Sequence, residues 1–324
     1  MGRVVHGVMA SHTTLMNTRW QEVAHLQGPI DFRNALQEAR EGIERSGAET
    51  AIIFGPNHFR GMWLDLMPAF TIGVGVVIGA GEHGTPAGPQ ATDSALAHHL
   101  LEALMRSGFD PAFSDQLEID HGITHAIQYL VPDGMPIVPV VINSFAPPLP
   151  PIDRCRSFGT VVGAAVASFA QDRNVAIIAS GGLSHTLPVP DWRKPLSDDD
   201  EFLVNSWREG RANWKQYEER RRGIVLGAPA VINEAFDREV LEAFAVGDSK
   251  SVAENDLDLV ATGGNGANEI RNWIVAAAAC GAAPARTLCY APVIEWLTGM
   301  AVAEIDRPIP VTAHSNLQPQ AGNR

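Results

Sequence analysis

Cysteine is scarce in this chain: three among 324 residues, at positions 155, 280 and 289. They make no CxxC pair, and three thiols cannot all be disulfide-bonded. Neither a disulfide scaffold nor a paired-cysteine zinc site is therefore expected, and a reducing cytoplasm is the simplest setting. Basic charge is short as well. Lys and Arg total 24 against 37 Asp and Glu, a formal net charge of −13, which repels polyphosphate and argues against nucleic acid as a partner. The one basic cluster, "ERRRG" at 219–223, is interleaved with glutamates on an expected helix. Long apolar runs are missing too. Gly or Pro interrupts every candidate stretch of 18 uncharged apolar residues, so no membrane span is expected, and the N-terminus lacks the apolar segment of a signal peptide.

With 45% apolar and 19% charged residues, the chain has ample core for one large α/β domain. The runs "RVVHGVMA" (3–10), "TAIIFG" (50–55), "FTIGVGVVIG" (70–79), "PIVPVVIN" (136–143) and "NVAIIAS" (174–180) read as buried strands. Helical spacing lies between them. "DFRNALQEAREGIERSG" (31–47) opens on Asp31 as a cap, and "TDSALAHHLLEALMRSG" (92–108) opens on Thr92. Strands alternating with helices imply a mostly parallel central sheet flanked by helices, with the active site at the carboxyl ends of the strands. Residues 190–262 are charged and carry three of the seven tryptophans, and read as a helical, lid-like region. "GGNGANEIRNWIVAAAACGAA" then runs from a glycine loop into an apolar helix suited to core or interface. One domain over 1–305 with a helical C-terminal part is expected, followed by a polar tail over 306–324.

Three of these strands end in a loop histidine: His12 in "VMASH", His58 in "IIFGPNH" and His185 in "IIASGGLSH". Loops at the carboxyl ends of parallel strands converge on one crevice, so the three imidazoles are expected together. One loop histidine is commonplace; three at equivalent positions are not. Two imidazoles and a carboxylate, with other positions open, suit the metal of non-haem Fe(II) oxygenases, and His12 and His58 fit the imidazole part. Glu269, which follows Gly263, Gly264 and Gly266 and opens the apolar helix, is the candidate carboxylate. An acid in a first helical turn is also favoured by the dipole alone, by about 0.3 to 1 kcal/mol, and that plainer reading stays open. In "LEIDHGITHAIQYL", Asp120 stands where it can orient His121 or raise its basicity. The plainer reading there is an N-capping Asp with histidines on a half-exposed helix, and it is preferred for His125. His6, His25, His83, His98, His99 and His314 are assigned to strand, loop or helix surface.

The motifs "ASHTTL", "FGPNHFRGMWLDLMPAFTIGVG", "DHGITHAIQYL", "ASGGLSH", "NEIRNW" and "PVIEWLTGM" occur in this order over roughly residues 5–300. Together they resemble the class III extradiol ring-cleavage dioxygenases, the superfamily of the protocatechuate 4,5-dioxygenase β subunit. The nearest likeness is to the single-chain 2,3-dihydroxyphenylpropionate (3-carboxyethylcatechol) enzymes. The resemblance implies Fe(II) ligands at His12, His58 and Glu269, with Mn(II) a second candidate metal, and acid/base histidines at His121 and His185. It implies extradiol cleavage of a substituted catechol by O2 to a 2-hydroxymuconic semialdehyde-type product, in a cytoplasmic homo-oligomer. In that scheme His185 is the base that takes a catechol proton, Gly181 and Gly182 turn the backbone at the strand end, and Ser184 hydrogen-bonds the ring or its neighbours. His121, oriented by Asp120, is the acid.

Several positions depart from the family pattern around the metal loops: Thr14 where proline is expected, Asn57 and Arg60 where aspartate and asparagine are expected, and Thr186 and Leu187 where Gln and Pro are usual. Arg60 offers a bidentate fork to a substrate carboxylate, or is a surface arginine after a turn. These changes put the phenylpropionate side chain in question and leave room for larger lignin-derived or biphenyl-type catechols. Two other classes compete, a metallohydrolase using the same His/His/Glu set and a non-catalytic ligand-binding member of the superfamily. No HExxH supports the first, and five competent functional positions argue against the second. "GLSHT" lacks the GxSxG elbow of a serine hydrolase, and the glycines of "GVGVVIGAGEHG" do not space as GxGxxG.

Overall fold

A computed structural model describes residues 1–253 and 256–311. Nine strands form one sheet: β1 (Gly2–Ala10), β2 (Thr50–Gly55), β3 (Phe70–Ala80), β4 (Ala87–Gln90), β5 (Ala112–Ile119), β6 (Ile137–Ile142), β7 (Arg173–Ser180), β8 (Arg286–Val293) and β9 (Thr298–Ile305). Their order is β4-β3-β6-β2-β7-β1-β9-β8, with β5 paired to β3 off that path. The central strands β6, β2, β7 and β1 run parallel, as the strand–helix alternation implies. β2 and β6 are buried along their whole length, as strands covered on both faces must be. Antiparallel neighbours flank this centre, β9 beside β1 and β3 beside β6.

The described residues include ten α-helices. The first loop holds α1 (Leu15–Thr18) and α2 (Trp20–Val23); α3 (Gln27–Arg45), α4 (Ser94–Arg106), α5 (His121–Leu130) and α6 (Ile152–Ser168) alternate with strands. Then come α7 (Asp198–Leu226), α8 (Glu234–Ala245), α9 (Asp256–Gly263) and α10 (Ile270–Ala279). Leu100 of α4, Phe158 of α6 and Trp273 of α10 belong to one core, and Phe32 and Ile43 of α3 with Ile123 of α5 to another. Every residue of α10 is buried, so its apolar sequence serves the core of its own subunit.

Some boundaries differ from expectation. α3 starts ahead of Asp31 because Pro29 is tolerated in a first turn; Asp31 instead accepts a hydrogen bond from Gln27 Nε2 at 2.7 Å. α4 is capped by Asp93, whose Oδ1 accepts from Leu96 N at 3.1 Å, not by Thr92. The helical C-terminal part ends at α10, and residues 286–305 add two antiparallel strands. β9, "TGMAVAEI", is buried throughout and so shows no alternation, and Ala and Glu are weak strand formers. Most of the polar tail, residues 312–324 with His314, lies outside the described residues.

α7 lies within residues 190–262, the stretch read from sequence as helical and lid-like. Ser197 Oγ caps it by accepting from Asp200 N at 3.1 Å, and the four acids Asp198–Glu201 occupy the first turn, where the helix dipole favours negative charge. Its Leu203, Val204 and Trp207 pack on Phe59, Trp63 and Phe145, with the Phe59 and Trp207 rings stacked 4.3 Å apart. Gly210 permits the closest approach, since a Cβ there would lie 1.9 Å from the Trp63 ring. Gly210→Val is therefore expected to lift α7 off the 59–67 loop while the sheet stays intact. Amide exchange should accelerate at least about tenfold over 198–226 and remain unchanged in β2 and β7; equal protection in both regions would refute this account of the glycine.

Candidate metal centre and cavity

The carboxyl ends of β1, β2, β6 and β7 open into a cavity of about 1080 Å³, mouth included, roofed by α7. Its walls are mostly apolar, with Phe145, Leu187, Leu203, Trp207 and Trp296 prominent. At one end His12, His58, His121 and Glu269 meet.

Each of these side chains is held by a local device. β1 ends at Ala10; Ser11 Oγ accepts from Ala301 N at 3.0 Å and so ties the loop to β9. The next residue, His12, pairs its Nδ1 with Ser180 Oγ at 2.9 Å, which leaves Nε2 free. The turn after β2 is closed by Asn57, whose side chain donates to Met62 O at 2.9 Å and accepts from Met62 N at 3.0 Å. His58 is then pinned by Asp120: its backbone N donates to Oδ2 at 2.5 Å, and its Nδ1 lies 3.5 Å from Oδ1. On the other side His58 Nε2 is 3.0 Å from Glu269 Oε1. Glu269 sits at the N-cap of α10, and its Oε2 accepts from Gly182 N at 2.6 Å. Gly181 must be glycine here, because its φ is +117° and a Cβ would lie 2.6 Å from that same oxygen.

The imidazoles form a cluster. His12 and His58 meet edge to face, with centroids 5.3 Å apart at 84°. His121 stacks on His58 at 4.0 Å and 23°. Burial lowers His12 to about 4, against the pull of Glu269, so it is neutral at pH 7. For His58 burial acts in the same direction, but the Asp120 and Glu269 carboxylates outweigh it and raise the ring to about 9. Glu269 goes the other way: burial would raise it, yet His12 and His58 hold it at about 2. His121 is pushed well below its ordinary value by burial and then by the neighbouring histidines.

Several sequence expectations are corrected by this geometry. Asp120 does not orient His121; it caps α5 at Gly122 N (2.9 Å) and anchors His58. Glu82 orients His121 instead, bonding both its backbone N (3.0 Å) and its Nδ1, and burial followed by the nearby Asp120 charge lifts Glu82 to about 7. Asn57 is a turn residue and does not line the cavity. Ser184 is not among the cavity-lining residues either; its Oγ donates to Asp237 Oδ2 at 2.8 Å in a buried network that seats α8. Arg60 does line the cavity, but it is a buried residue with its guanidinium committed to Glu218. His125 is buried rather than half-exposed. His185 is buried and is not among the cavity-lining residues; its Nδ1 donates to Leu183 O at 3.0 Å. Its Nε2 abuts Gly266, where a Cβ would be 2.2 Å away.

Sequence reasoning missed several polar contributors. Glu82 and His83 come from "GEHG", which echoes the "DHG" at 120–122, and that echo was the available signal. His83 lines the cavity with a backbone φ of +54°, uncommon for a non-glycine residue. Arg221 and Arg222 belong to the basic cluster of α7, and both line the cavity. No local pattern marked them as facing inward.

Known proteins resemble this chain along most of its length. Residues 7–300 match the family described as the catalytic LigB subunit of aromatic ring-opening dioxygenase. The chain is 33% identical over 305 residues to a 2,3-dihydroxyphenylpropionate/2,3-dihydroxicinnamic acid 1,2-dioxygenase of Rhodococcus sp, covering 90% of this chain and 95% of that one. A protein of the same name from Photorhabdus laumondii is 34% identical over 313 residues, covering 91% and 95%. One from Azotobacter vinelandii is 33% identical over 285 residues, covering 84% and 90%. With a match that spans nearly the whole chain and a histidine cluster at the strand ends to go with it, this protein belongs to the LigB family of class III extradiol ring-opening dioxygenases.

Proposed function

We propose that this protein binds Fe(II) through His12, His58 and Glu269 and cleaves a substituted catechol with O2 to a 2-hydroxymuconic semialdehyde-type product. The observation that carries the reading is the 3.0 Å contact of His58 Nε2 with Glu269 Oε1 beside the free Nε2 of His12. Two donors about 2.1 Å from one ion and at right angles to each other are separated by about that distance. His12, His58 and His121 also have donor atoms within 4.8 Å of one another. His121 is the less suitable third ligand, because its ring is stacked almost parallel on His58. Lone pairs lie in the ring planes, and parallel planes do not converge on one ion. A 2-His-1-carboxylate set suits Fe(II), and Mn(II) by the same donor chemistry.

Bound there, Fe(II) would supply the oxygen chemistry that side chains lack. The chain's own residues do the rest. Phe145, Leu203 and Trp207 exclude water from the ring, and His121, neutral and fixed by Glu82, exchanges protons at Nε2 with the catechol oxygens. His185 is the second proton carrier in this proposal. Its Nδ1–H is committed to Leu183 O, so Nε2 is the accepting atom, and the role requires Nε2 to leave Gly266 and enter the cavity. Three free thiols fit a cytoplasmic setting, and no helix of the described residues is long and apolar enough to cross a membrane. A homo-oligomer is the proposed assembly, by family resemblance.

Iron-loaded protein given air and a panel of catechols is expected to consume O2 and form a yellow ring-opened product. His12→Ala and Glu269→Gln should lose iron and turnover together, and His121→Ala should keep iron but turn over about 10²- to 10⁴-fold more slowly. No oxygen uptake with any catechol, from protein that carries zinc, would sink the reading. For His185, both His185→Gln and Gly266→Ala should lower kcat with iron content unchanged; an unaltered kcat in the two variants removes this histidine from the chemistry.

Metal uptake carries a proton signature. In the metal-free protein His58, raised to about 9, is protonated at pH 7, while His12, at about 4, and Glu269, at about 2, have already lost their protons. Ligation needs a neutral His58, so binding should release on the order of one proton at pH 7, falling toward zero as pH rises past 9. Calorimetry in buffers of different ionisation enthalpy measures this directly, and His58→Ala should abolish it.

A further inference from the structure

We propose that His6, Glu304 and Asp306 bind a second divalent ion, of the Zn(II) class, on the face of the sheet and away from the centre at the strand ends. The sheet register brings the three together. In the antiparallel β1–β9 pair Gly7 lies opposite Ile305 and Val8 opposite Glu304. His6 is two residues from Val8 and Asp306 two from Glu304, so strand alternation turns all four to the same face. That face is the one α3 covers, since Val8 and Ile43 share a core. At about 3.3 Å per strand residue, His6 lies about 13 Å before the carboxyl end of β1 at Ala10, well clear of His12.

The three residues offer donor atoms within 4.8 Å of one another. His6 and Glu304 are each only 2% exposed. Neither His6 Nε2 nor Glu304 Oε2 has a hydrogen-bond partner, and the two atoms face each other at 3.8 Å. On the other side of the ring, Nδ1 lies 3.7 Å from Asp306 Oδ1. Burial lowers His6 below its ordinary value, so at pH 7 the ring is neutral and has one N–H and one lone pair. Whichever nitrogen holds the proton, the other turns its lone pair toward a carboxylate oxygen. Buried acceptor facing buried acceptor is unfavourable, and a cation shared between them converts that repulsion into ligation. Donors about 2.1 Å from one ion at the tetrahedral angle are about 3.4 Å apart, so small side-chain shifts close the site.

The surroundings suit an ion. Arg286 of β8 pairs with Glu304 Oε1 and with Glu38 Oε1, the latter at 3.0 Å; it orients Glu304 and leaves Oε2 free. From α3 the nearest backbone is that of Gly42, where a Cβ would stand 3.0 Å from His6 Nε2 and 3.2 Å from Glu304 Oε2. The missing side chain gives the ligands room to adjust. Asp306 is exposed and opens the site to solvent, from which water completes the coordination. One imidazole with two carboxylates suits Zn(II). An ion there fastens β1 to β9, the strand whose Ala301 N donates to Ser11 Oγ beside His12.

The test counts ions on the intact protein. Iron-loaded protein is equilibrated anaerobically with excess Zn(II) and desalted, and both metals are measured. The wild type is expected to hold about two ions per chain in total, and His6→Phe, which keeps a buried ring without donors, about one. Asp306→Asn, a change at an exposed position, should weaken zinc binding by at least about tenfold with iron content and catechol turnover unchanged. One ion per chain in the wild type, with zinc replacing iron mole for mole, overturns the proposal; so does undiminished zinc in both His6→Phe and Asp306→Asn. Failure of His12, His58 and Glu269 to hold any metal would lower every total by one and leave the difference between wild type and His6→Phe to decide.

Discussion

The contact between Glu269 and His58 is what the site depends on. Two ionisable groups, buried at the end of a sheet, carry a desolvation cost that only close mutual contact and further hydrogen bonds offset. Support comes from separate parts of the chain: Gly182 N–H on the carboxylate side and, on the other, the Asp120 carboxylate, which accepts from the His58 backbone N and lies 3.5 Å from its Nδ1. Trp273, from the same helix as Glu269, donates Nε1 to Gly181 O at 2.6 Å and locks the glycine turn against α10. Removing one member of such a pair leaves the other charge uncompensated, at a typical cost of about 3–5 kcal/mol. The glycines at 181 and 182, the cap at 120 and the burial of α10 are all conditions for this one contact.

The parallel centre of the sheet makes that contact possible. β1, β2 and β7 are adjacent and share direction, so the loops leaving their carboxyl ends emerge side by side. Ala10 lies opposite Ser180, and Phe54 opposite Ala179, which brings His12 and His58 together within two or three residues of the strand ends. His185 leaves from the same edge, yet its loop turns it under the 263–266 glycines. There its backbone N donates to Gly263 O and its carbonyl accepts from Gly266 N, each at 3.0 Å. Its backbone thus secures the turn that leads to Glu269.

The cavity is divided chemically. Near the strand ends the walls supply imidazoles and a carboxylate; opposite, α7 supplies guanidiniums over an apolar stripe. An acidic protein repels anions at long range, so a local cationic wall gives an anionic ligand a single favourable orientation. Arg211 and Asp65, paired through 2.6 and 3.1 Å contacts, and the Phe59–Trp207 stack hold this wall against the loop that carries His58. Metal-side and lid-side chemistry are therefore mechanically joined through residues 58–65.

The sequence by itself determined the fold class, the central strands and the meeting of His12 and His58, because short β-branched runs alternating with amphipathic helices leave few topologies, and parallel topology sends strand-end loops to one edge. Family motifs added Glu269, which its position at a helix start alone left ambiguous. Only the tertiary structure decided which polar residue serves which. Asp120 and Glu82 are equally acid–histidine neighbours in sequence, but the former holds His58 and the latter His121. Arg60 reads as an anion receptor until Glu218, more than 150 positions away, occupies it. Ser184 reads as a site residue until Asp237 claims it. Hydrogen-bond and ion-pair partners are set by distances of a few ångströms between segments far apart in the chain. Periodicity and spacing record which face a residue occupies, not what lies opposite it.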